Sequence, residues 1–365
     1  MNESRIDISE FTRVAGPSHP QTLLVTVKNF DLQAIRARYL ASKESGKGRT
    51  GSVERRPVAD GGLVRFDISE TGVLTNQVIK RLKEPRGIAQ HDEHLAFSSE
   101  KEVILVGPNE VKTLKDPWFS YIHTVDFNAK GDRILVSSSG FDAIMEYDTE
   151  GFRKTYEWWA WEHGFHKGID PETGAPVRLS RVPLPKEESV KVISDPERDV
   201  LPTAMRAAFI NSVEYDRHDE QHMLATFFHE GSCYRIDRTD GSAELVISGM
   251  KNPHGGTSIP NGYMATSTRS GEVMIVTEGR EDVLSFQSVP GKPTGLESEE
   301  WLQNTKAMDD GSIITIDSNR TSFIIINPSA KTYAVIPYPD HMAIQDLIIS
   351  SKEIIDRWTA ALESP

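Results

Sequence analysis

The sequence has almost no cysteine and no long apolar run. Cys233 is the single cysteine among 365 residues, so no disulfide can form within the chain, which fits a reducing compartment. No stretch approaches the roughly 18 apolar residues that a membrane-spanning helix needs. The first residues, MNESRIDISEF, are polar where a signal peptide would be apolar. These absences predict a cytoplasmic protein that does not bind a membrane.

Positive charge is also in short supply. The 54 Asp and Glu residues exceed the 41 Lys and Arg residues, and the net charge is -13. Such a surface repels nucleic acid and anionic lipid, so neither is an expected partner. The sequence has no phosphate-binding loop, Rossmann fingerprint or nucleophile elbow at a strand–helix junction. We therefore expect no nucleotide cofactor, and kinase, dehydrogenase and serine hydrolase activities are not supported.

What the chain does contain is a repeated β unit. Each copy has a polar head residue, a short strand, a tight turn, a second strand, a loop of small residues and a third strand. Five copies are readable, and a sixth, less regular copy lies between Thr22 and Asp67. The five begin at Pro85, Tyr121, Phe209, Asn252 and Leu302. Apart from one long gap, their heads are about 36 to 50 residues apart, which is the spacing of four-stranded propeller blades.

This repeat predicts an all-β protein: a single six-bladed β-propeller over residues 1–365, with two insertions at one mouth of the channel. Closure of the ring requires the two chain ends to meet. Either residues 6–14 or the run AIQDLIIS from Ala343 could complete a blade. An apolar stripe in residues 352–363 predicts a short C-terminal helix that packs outside the ring. The sequence does not indicate an oligomeric state.

Two segments interrupt the repeat on the side of the heads. Residues 32–60 separate a second from a third strand, and their Gly, Ser and basic residues predict a flexible flap that carries positive charge. Residues 163–208 precede a first strand and begin beside the aromatic segment EWWAWEHGF. Trp159 in this segment either anchors the insertion or forms a stacking wall for an organic ligand. The basic flap predicts that the ligand has an anionic group.

Two imidazoles and two carboxamides occupy equivalent head positions on consecutive blades. They are His123, Asn211, His254 and Asn304, and the repeat predicts that they lie around one axis. Imidazole and amide groups can together ligate a divalent metal ion, whose identity the sequence does not indicate. Without a metal, His123 and His254 would be catalytic acids or bases, and the two asparagines would bind substrate. His229, one loop away, is a third catalytic candidate.

Arginine residues near the same mouth complete the predicted site. Arg86 directly precedes the head position Gly87, and Arg269 and Arg320 lie in loops that the repeat places at this mouth. Together with Trp159, these arginines are candidates for binding a small organic anion.

The blade units also carry a resemblance to known propellers. NPHGGTSIPNGYMATSTRSGEVMIV and HTVDFNAKGDRILVSSSGFDAIMEYD resemble blades of arylsulfotransferase-type propellers, and they are similar to strictosidine synthase and gluconolactonase-like six-bladed proteins. The resemblance covers residues 85–327. It implies, for an arylsulfotransferase, a channel histidine that carries a sulfuryl group, a role that would fall on His123 or His254. No arginine cluster is evident among the heads, and the carboxylate-rich metal site of gluconolactonases is replaced here by histidine.

The sequence therefore favours an enzyme that acts on a small organic molecule at the channel mouth. Its chemistry would be metal-assisted or histidine-mediated lyase, hydrolase or ring-forming chemistry. Two alternatives stay open: a noncatalytic propeller that binds a protein or a metabolite, and group transfer of the arylsulfotransferase kind.

Overall fold

The structure, a computed structural model, describes residues 2–44, 58–108, 110–185 and 189–363. Within these residues, six sheets of four or five strands each form a blade, and one three-stranded sheet forms part of an insertion. The innermost strands of the six blades contact one another in a closed ring around a central channel. The predicted all-β propeller is confirmed. We number the blades I to VI along the chain.

The first three blades follow one another from the ring closure. The strands of each blade are given from the channel outward. Blade I contains Ala343–Ile349, Gln21–Asn29, Asp60–Ile68 and Leu74–Lys83. Blade II contains Ile88–His91, His94–Ser99, Glu102–Val106 and Val111–Lys115, and blade III contains Ile122–Phe127, Arg133–Ser138, Ala143–Asp148 and Lys154–Trp159.

The last three blades follow the second insertion. From the channel outward, blade IV contains Ile210–Tyr215, His222–Phe227, Ser232–Asp237 and Ala243–Ile247; blade V contains Pro253–Ile259, Gly262–Ser267, Glu272–Thr277 and Arg280–Ser285; blade VI contains Leu302–Ala307, Ile313–Asp317, Ser322–Asn327 and Thr332–Pro337. Two N-terminal strands, Asn2–Asp7 and Thr12–Arg13, extend blades V and VI at their outer edges in parallel pairing.

Ring closure joins the two ends of the chain within blade I. The innermost strand, Ala343–Ile349, pairs antiparallel with Gln21–Asn29, and Leu347 lies opposite Val25. Both of these side chains are fully buried. Of the two closing segments that the sequence allowed, the structure selects the C-terminal one, while the N-terminal segment contributes the outer strands of blades V and VI.

Short buried strands and tight turns explain why the repeat forms blades. In blade III the strand Arg133–Ser138 is buried along nearly its whole length, because both faces of the sheet pack on neighbouring blades. The outermost strand Leu74–Lys83 of blade I is mostly exposed. Gly131 supplies the positive φ of 70° that the turn before Arg133 requires. The hydrophobic core therefore lies between the blades, around the channel.

The first insertion begins with a helix at the channel mouth. Helix α1, Leu32–Glu44, starts after Asp31, whose carboxylate accepts a hydrogen bond from the Ala34 amide at 2.9 Å. Leu32 is buried against Ala343, and Arg36 donates to the Ser318 carbonyl at 2.6 Å. The start of the predicted flap is thus ordered and packed between blades I and VI. The rest of the flap, residues 45–57, lies outside the described residues.

The C-terminal helix packs outside the ring, as its apolar stripe predicted. Helix α2, Lys352–Glu363, buries Ile355, Trp358 and Leu362 against blades I and II. The indole of Trp358 also donates to the Glu93 carbonyl at 2.7 Å. In the part of the chain that the structure describes, neither this helix nor any other is long and apolar enough to cross a membrane. Short 3₁₀ turns lie at Ile8–Glu10, Ala160–Glu162, Thr203–Met205 and Thr268–Ser270.

Replacing Trp358 by alanine tests whether α2 stabilises the closed ring. The variant loses a fully buried indole and one hydrogen bond, so we expect the free energy of unfolding in urea to fall by about 3–5 kcal/mol. Glu353→Ala is the matched control, because Glu353 is exposed on the same helix, and it should change stability by about 0.5 kcal/mol or less. Equal stability of the two variants would contradict the packing role of α2.

Candidate functional site

The four predicted head residues lie together at one mouth of the channel. They are the second or third residues of the innermost strands of blades III to VI, and these strands are neighbours in the ring: His123, Asn211, His254 and Asn304. Their exposed fractions are only 1% to 6%. The ring centroids of His123 and His254 are 6.5 Å apart. Residues that hold equivalent positions in the repeat are therefore neighbours in the folded chain.

Left-handed backbone precedes the heads and aims main-chain carbonyls at the histidines. Residues with φ between 50° and 57° lie two positions before three of the heads: Tyr121, Phe209 and Asn252. The Tyr121 carbonyl lies 3.0 Å from Nδ1 of His123. Nδ1 of His254 is 3.3 Å from the Asn252 carbonyl and 2.7 Å from the Thr268 hydroxyl. Because a carbonyl oxygen only accepts, we infer that Nδ1 carries the proton and Nε2 keeps its lone pair.

Positively charged side chains surround the two imidazoles. Arg86 stacks on the Tyr121 ring at 4.1 Å and pairs with Glu84 at 2.5 Å. Arg206, from the second insertion, lies over the same tyrosine ring at 4.4 Å. Lys28 donates to Gln345 Oε1 at 2.6 Å. The sequence showed no arginine cluster among the heads, whereas the structure brings Arg86 and Arg206 together on the ring of Tyr121. Of the three cations, only Arg86 was among the predicted site residues.

Burial and positive charge keep both histidines neutral. Burial lowers the pKa of His123 well below its ordinary value, and Arg86, His254, Arg206 and Lys28 lower that pKa further. Burial, with Lys28 and Arg86, lowers the pKa of His254 to about 3, although the Asn252 carbonyl acts in the opposite direction. The mouth therefore combines two neutral imidazoles with an electrostatic field that favours an anion.

Asp142 fastens the second insertion over this mouth. Its buried carboxylate accepts hydrogen bonds from the Trp161 indole at 3.0 Å, the Ala207 amide at 2.9 Å and the Phe209 amide at 2.6 Å. Burial raises the pKa of this carboxyl group, even though these donors act in the opposite direction. The insertion, whose small sheet contains Lys167–Ile169, Pro176–Ser180 and Val190–Val192, is thereby held where Arg206 reaches Tyr121.

Two predicted ligand-binding residues are held in the scaffold, and a third lines a different cleft. Trp159 is buried in the core of blade III, 4.9 Å from the Trp118 ring, so it anchors the scaffold and does not form a stacking wall. Arg320 is buried, with its donors held by Asp317 at 2.5 Å and by main-chain carbonyls. Arg269 lines a separate surface cleft of about 640 Å³ with Lys292. Loop position alone did not reveal these local contacts.

His229 lies near the mouth, but Nε2 of its ring is engaged in a hydrogen bond. Nε2 of His229 is 2.9 Å from the Thr203 carbonyl, to which it donates. Its ring contacts Phe228 at 5.4 Å, and Phe228 in turn contacts His254 at 5.9 Å. These contacts favour a role for His229 in holding the second insertion, and they do not favour the catalytic role that the sequence predicted.

The head residues do not form a dense cluster of strong metal ligands. Among the described residues, no group of three or more His, Cys, Asp or Glu side chains is placed to hold a metal ion. The predicted ligand set combines His123 and His254 with the amides of Asn211 and Asn304, beside Lys28 and Arg86. The charges of Lys28 and Arg86 would repel a divalent cation. The metal site stays a prediction.

The opposite end of the channel has a second group of charged residues, which sequence reasoning missed. Asp126 forms a two-oxygen pair with Arg217 at 2.6 and 2.7 Å, and Glu214 pairs with Lys306 at 2.7 Å. These residues line a cavity of about 710 Å³. Burial raises the pKa of Asp126 to about 7 despite Arg217. Asp126, Glu214 and Lys306 are ordinary strand positions and Arg217 lies in a turn, so no local motif indicated the group.

Comparison with known proteins confirms the class of fold. No family model matches the chain, and neither does any curated protein sequence. A chain of the nidogen/laminin complex aligns with a TM-score of 0.54 at 10% identity, covering 90% of this chain and 98% of that chain. A protein of unknown function from Bacteroides caccae gives 0.51 at 10% identity, with 91% and 100% covered.

A streptogramin B lyase also aligns, at a TM-score of 0.46 and 11% identity, covering 73% of this chain and 93% of that chain. At 10% identity, the likeness to the first two structures bears on fold alone. The chain is thus a β-propeller with a buried, cation-flanked pair of histidines at one channel mouth. None of these three structures supports the arylsulfotransferase or strictosidine synthase resemblance in particular.

Acidification should destabilise the protein through these buried histidines. The pKa of His254 is about 3 in the folded chain and 6.5 ordinarily. The unfolded chain therefore binds the extra proton between these values, and stability falls as the pH falls below 6.5. One such group contributes a slope of up to about 1.4 kcal/mol per pH unit.

His254→Gln should lower that slope, measured by urea unfolding at several pH values between 7.5 and 5. His94→Gln is the control, because His94 is exposed at the start of the strand His94–Ser99, at the far end of blade II. An unchanged slope in His254→Gln would contradict the neutral, buried state of this imidazole.

Proposed function

We propose that this chain is an enzyme that acts on a small organic anion at the mouth formed by the heads. His123 and His254 transfer protons in a lyase, hydrolase or ring-forming reaction. The observation that carries the proposal is the pair of neutral imidazoles, each with Nε2 unprotonated, beside Lys28, Arg86 and Arg206. Proton transfer requires such a base, and anion binding requires such charges.

Substrate charge would control the strength of the base. In the free protein, burial and then the positive field keep the pKa of both imidazoles low. A bound anion offsets that field, so the pKa of the imidazoles rises toward the ordinary value. One imidazole then accepts a proton at Nε2 from the substrate or from water, and the imidazolium so formed returns that proton to the leaving group. Lys28 and Arg86 stabilise the negative charge that develops between these steps.

A metal-assisted form of the reaction has less support. The four heads offer the amide oxygens of two asparagines and the ring nitrogens of two histidines, and such atoms suit several divalent ions. Lys28, Arg86 and Arg206 would all repel such an ion, and the acid–base steps above use only side chains of this chain. We therefore propose the histidine-mediated form and treat a metal requirement as an outcome to be measured.

Sulfuryl transfer is the second candidate, because Arg86 and Arg206 lie on the rings around His123. In this reaction Nε2 of His123 attacks the sulfur of an aryl sulfate, and the phenolate leaves. An acceptor hydroxyl then attacks the sulfur, loses its proton to a base such as His254, and frees the imidazole. The two arginines would stabilise the charge on the transferred group.

Turnover by histidine variants tests the proposal. Purified protein is incubated with carboxylate esters, lactones, β-substituted carboxylic acids and 4-nitrophenyl sulfate, and products are followed by NMR. We expect turnover in one carboxylate-containing class, and a loss of about 10²-fold or more in kcat for His123→Asn and His254→Asn. His94→Gln should keep the full rate. Turnover of the aryl sulfate alone would favour sulfuryl transfer.

Full activity of both head variants would contradict the assignment of the site, and no turnover of any class would favour a noncatalytic binding propeller. Treatment with EDTA should leave the rate unchanged. A rate that is lost with EDTA and restored only by one divalent metal would support the metal-assisted form.

A further inference from the structure

Four hydrogen-bond acceptors belong to the head residues of the proposed active site. Nε2 of His123 and of His254 keep their lone pairs, because each Nδ1 faces a main-chain carbonyl. Oδ1 of Asn211 and Oδ1 of Asn304 have no hydrogen-bond partner among the residues that the structure describes. All four side chains are more than nine-tenths buried. Buried acceptors are normally paired, so this group points to a ligand that supplies donors.

The orientation of the two amides is set by their own donor groups. Nδ2 of Asn211 donates to the Pro253 carbonyl at 3.0 Å. The Asn304 amide donates to the Asp346 carboxylate. Oδ1 of Asn304 lies against Gly255, where a Cβ atom would come within 3.2 Å of it. Turning either amide over would sacrifice its donor bond, so both oxygens stay available as acceptors.

The surrounding charges select the chemistry of the donor. Lys28, Arg86 and Arg206 all lower the proton affinity of His123, and a ligand ammonium or metal ion beside these charges would be repelled. A neutral hydroxyl group donates without that cost. The same three charges favour a carboxylate on the ligand.

We infer that the ligand of this site is a hydroxylated carboxylic acid, whose hydroxyl groups donate to Asn211, Asn304 and the imidazoles while its carboxylate faces Lys28 and Arg86. This inference rests on the proposed function for the location of the site. It adds a specificity role for the two asparagines: they distinguish a hydroxy acid from the same acid without hydroxyl groups.

Four matched compounds on one carbon skeleton test the inference by isothermal titration calorimetry. Tartrate carries both groups, succinate lacks the hydroxyls, threitol lacks the carboxylates, and aspartate has one ammonium group in place of the two hydroxyls. We expect tartrate to bind at least tenfold more tightly than each of the other three. Equal binding of succinate, threitol or aspartate, or no binding of tartrate at millimolar concentration, would overturn the inference.

Asparagine variants connect this preference to the proposed residues. Asn211→Leu and Asn304→Leu keep the approximate shape of the amide but remove the acceptor, so each should lower the tartrate preference over succinate about tenfold. Lys28→Met should weaken tartrate and succinate equally. Circular dichroism selects the folded variants, and either asparagine variant alone decides the question. A folded variant that keeps the full preference would overturn the role of the asparagines.

Because these measurements use equilibrium binding, they separate the inference from the proposed catalysis. A noncatalytic propeller with this specificity would still prefer tartrate, although it would turn nothing over. An enzyme for another class of anion would lose activity in the histidine variants but would show no hydroxyl preference.

Discussion

The pairing of Ala343–Ile349 with Gln21–Asn29 is the interaction on which the rest of this structure depends. It joins the two ends of the chain within blade I and covers apolar side chains, such as Leu23 and Leu347, that an open ring would expose. The same two strands carry Lys28 and Gln345, whose side chains are bonded to each other at the channel mouth. Closure of the fold and assembly of the site therefore use one pair of strands.

The geometry of the mouth depends on residues whose backbone conformation is energetically unfavourable. Left-handed conformations at non-glycine residues such as Tyr121 and Phe209 cost of order 1–3 kcal/mol each and persist only where the surrounding fold enforces them. At Tyr121 this backbone directs a carbonyl at His123 and places the aromatic ring between the imidazole and two guanidinium groups. One strained residue thus sets the tautomer, the packing and the electrostatic surroundings of the histidine.

The two ends of the channel differ in how their charges are used. At the far end, Asp126 and Glu214 are balanced by Arg217 and Lys306 in direct ion pairs. At the head end, neutral imidazoles lie beside cations, and two amide oxygens have no donor among the described residues. Ion pairs that satisfy each other favour a structural role, whereas buried acceptors without a donor favour a ligand.

The repeat made part of this site predictable. Strand and turn signals placed His123, Asn211, His254 and Asn304 at equivalent positions, and closed repeats convert equivalent positions into neighbours around an axis. Loop residues lacked this constraint. Arg320 and Trp159 were assigned to the ligand from their place in the sequence, but local partners, Asp317 for the arginine and Trp118 for the indole, hold them in the scaffold. Arg206 belongs to an insertion, and insertions do not follow the period of the repeat. Its position beside Tyr121 could therefore not be predicted from the spacing of the blades.

The sequence by itself determined the β-propeller, the position of its heads and the helix that packs outside the ring, because these follow from local strand, turn and amphipathic patterns that recur along the chain. Only the tertiary structure decided which segment closes the ring, and which cations surround the histidines. Lys28, Arg86 and Arg206 are far apart in sequence and come together through strand pairing and the Asp142 anchor. Charge acts through distance in space, and no spacing along a chain reports that distance.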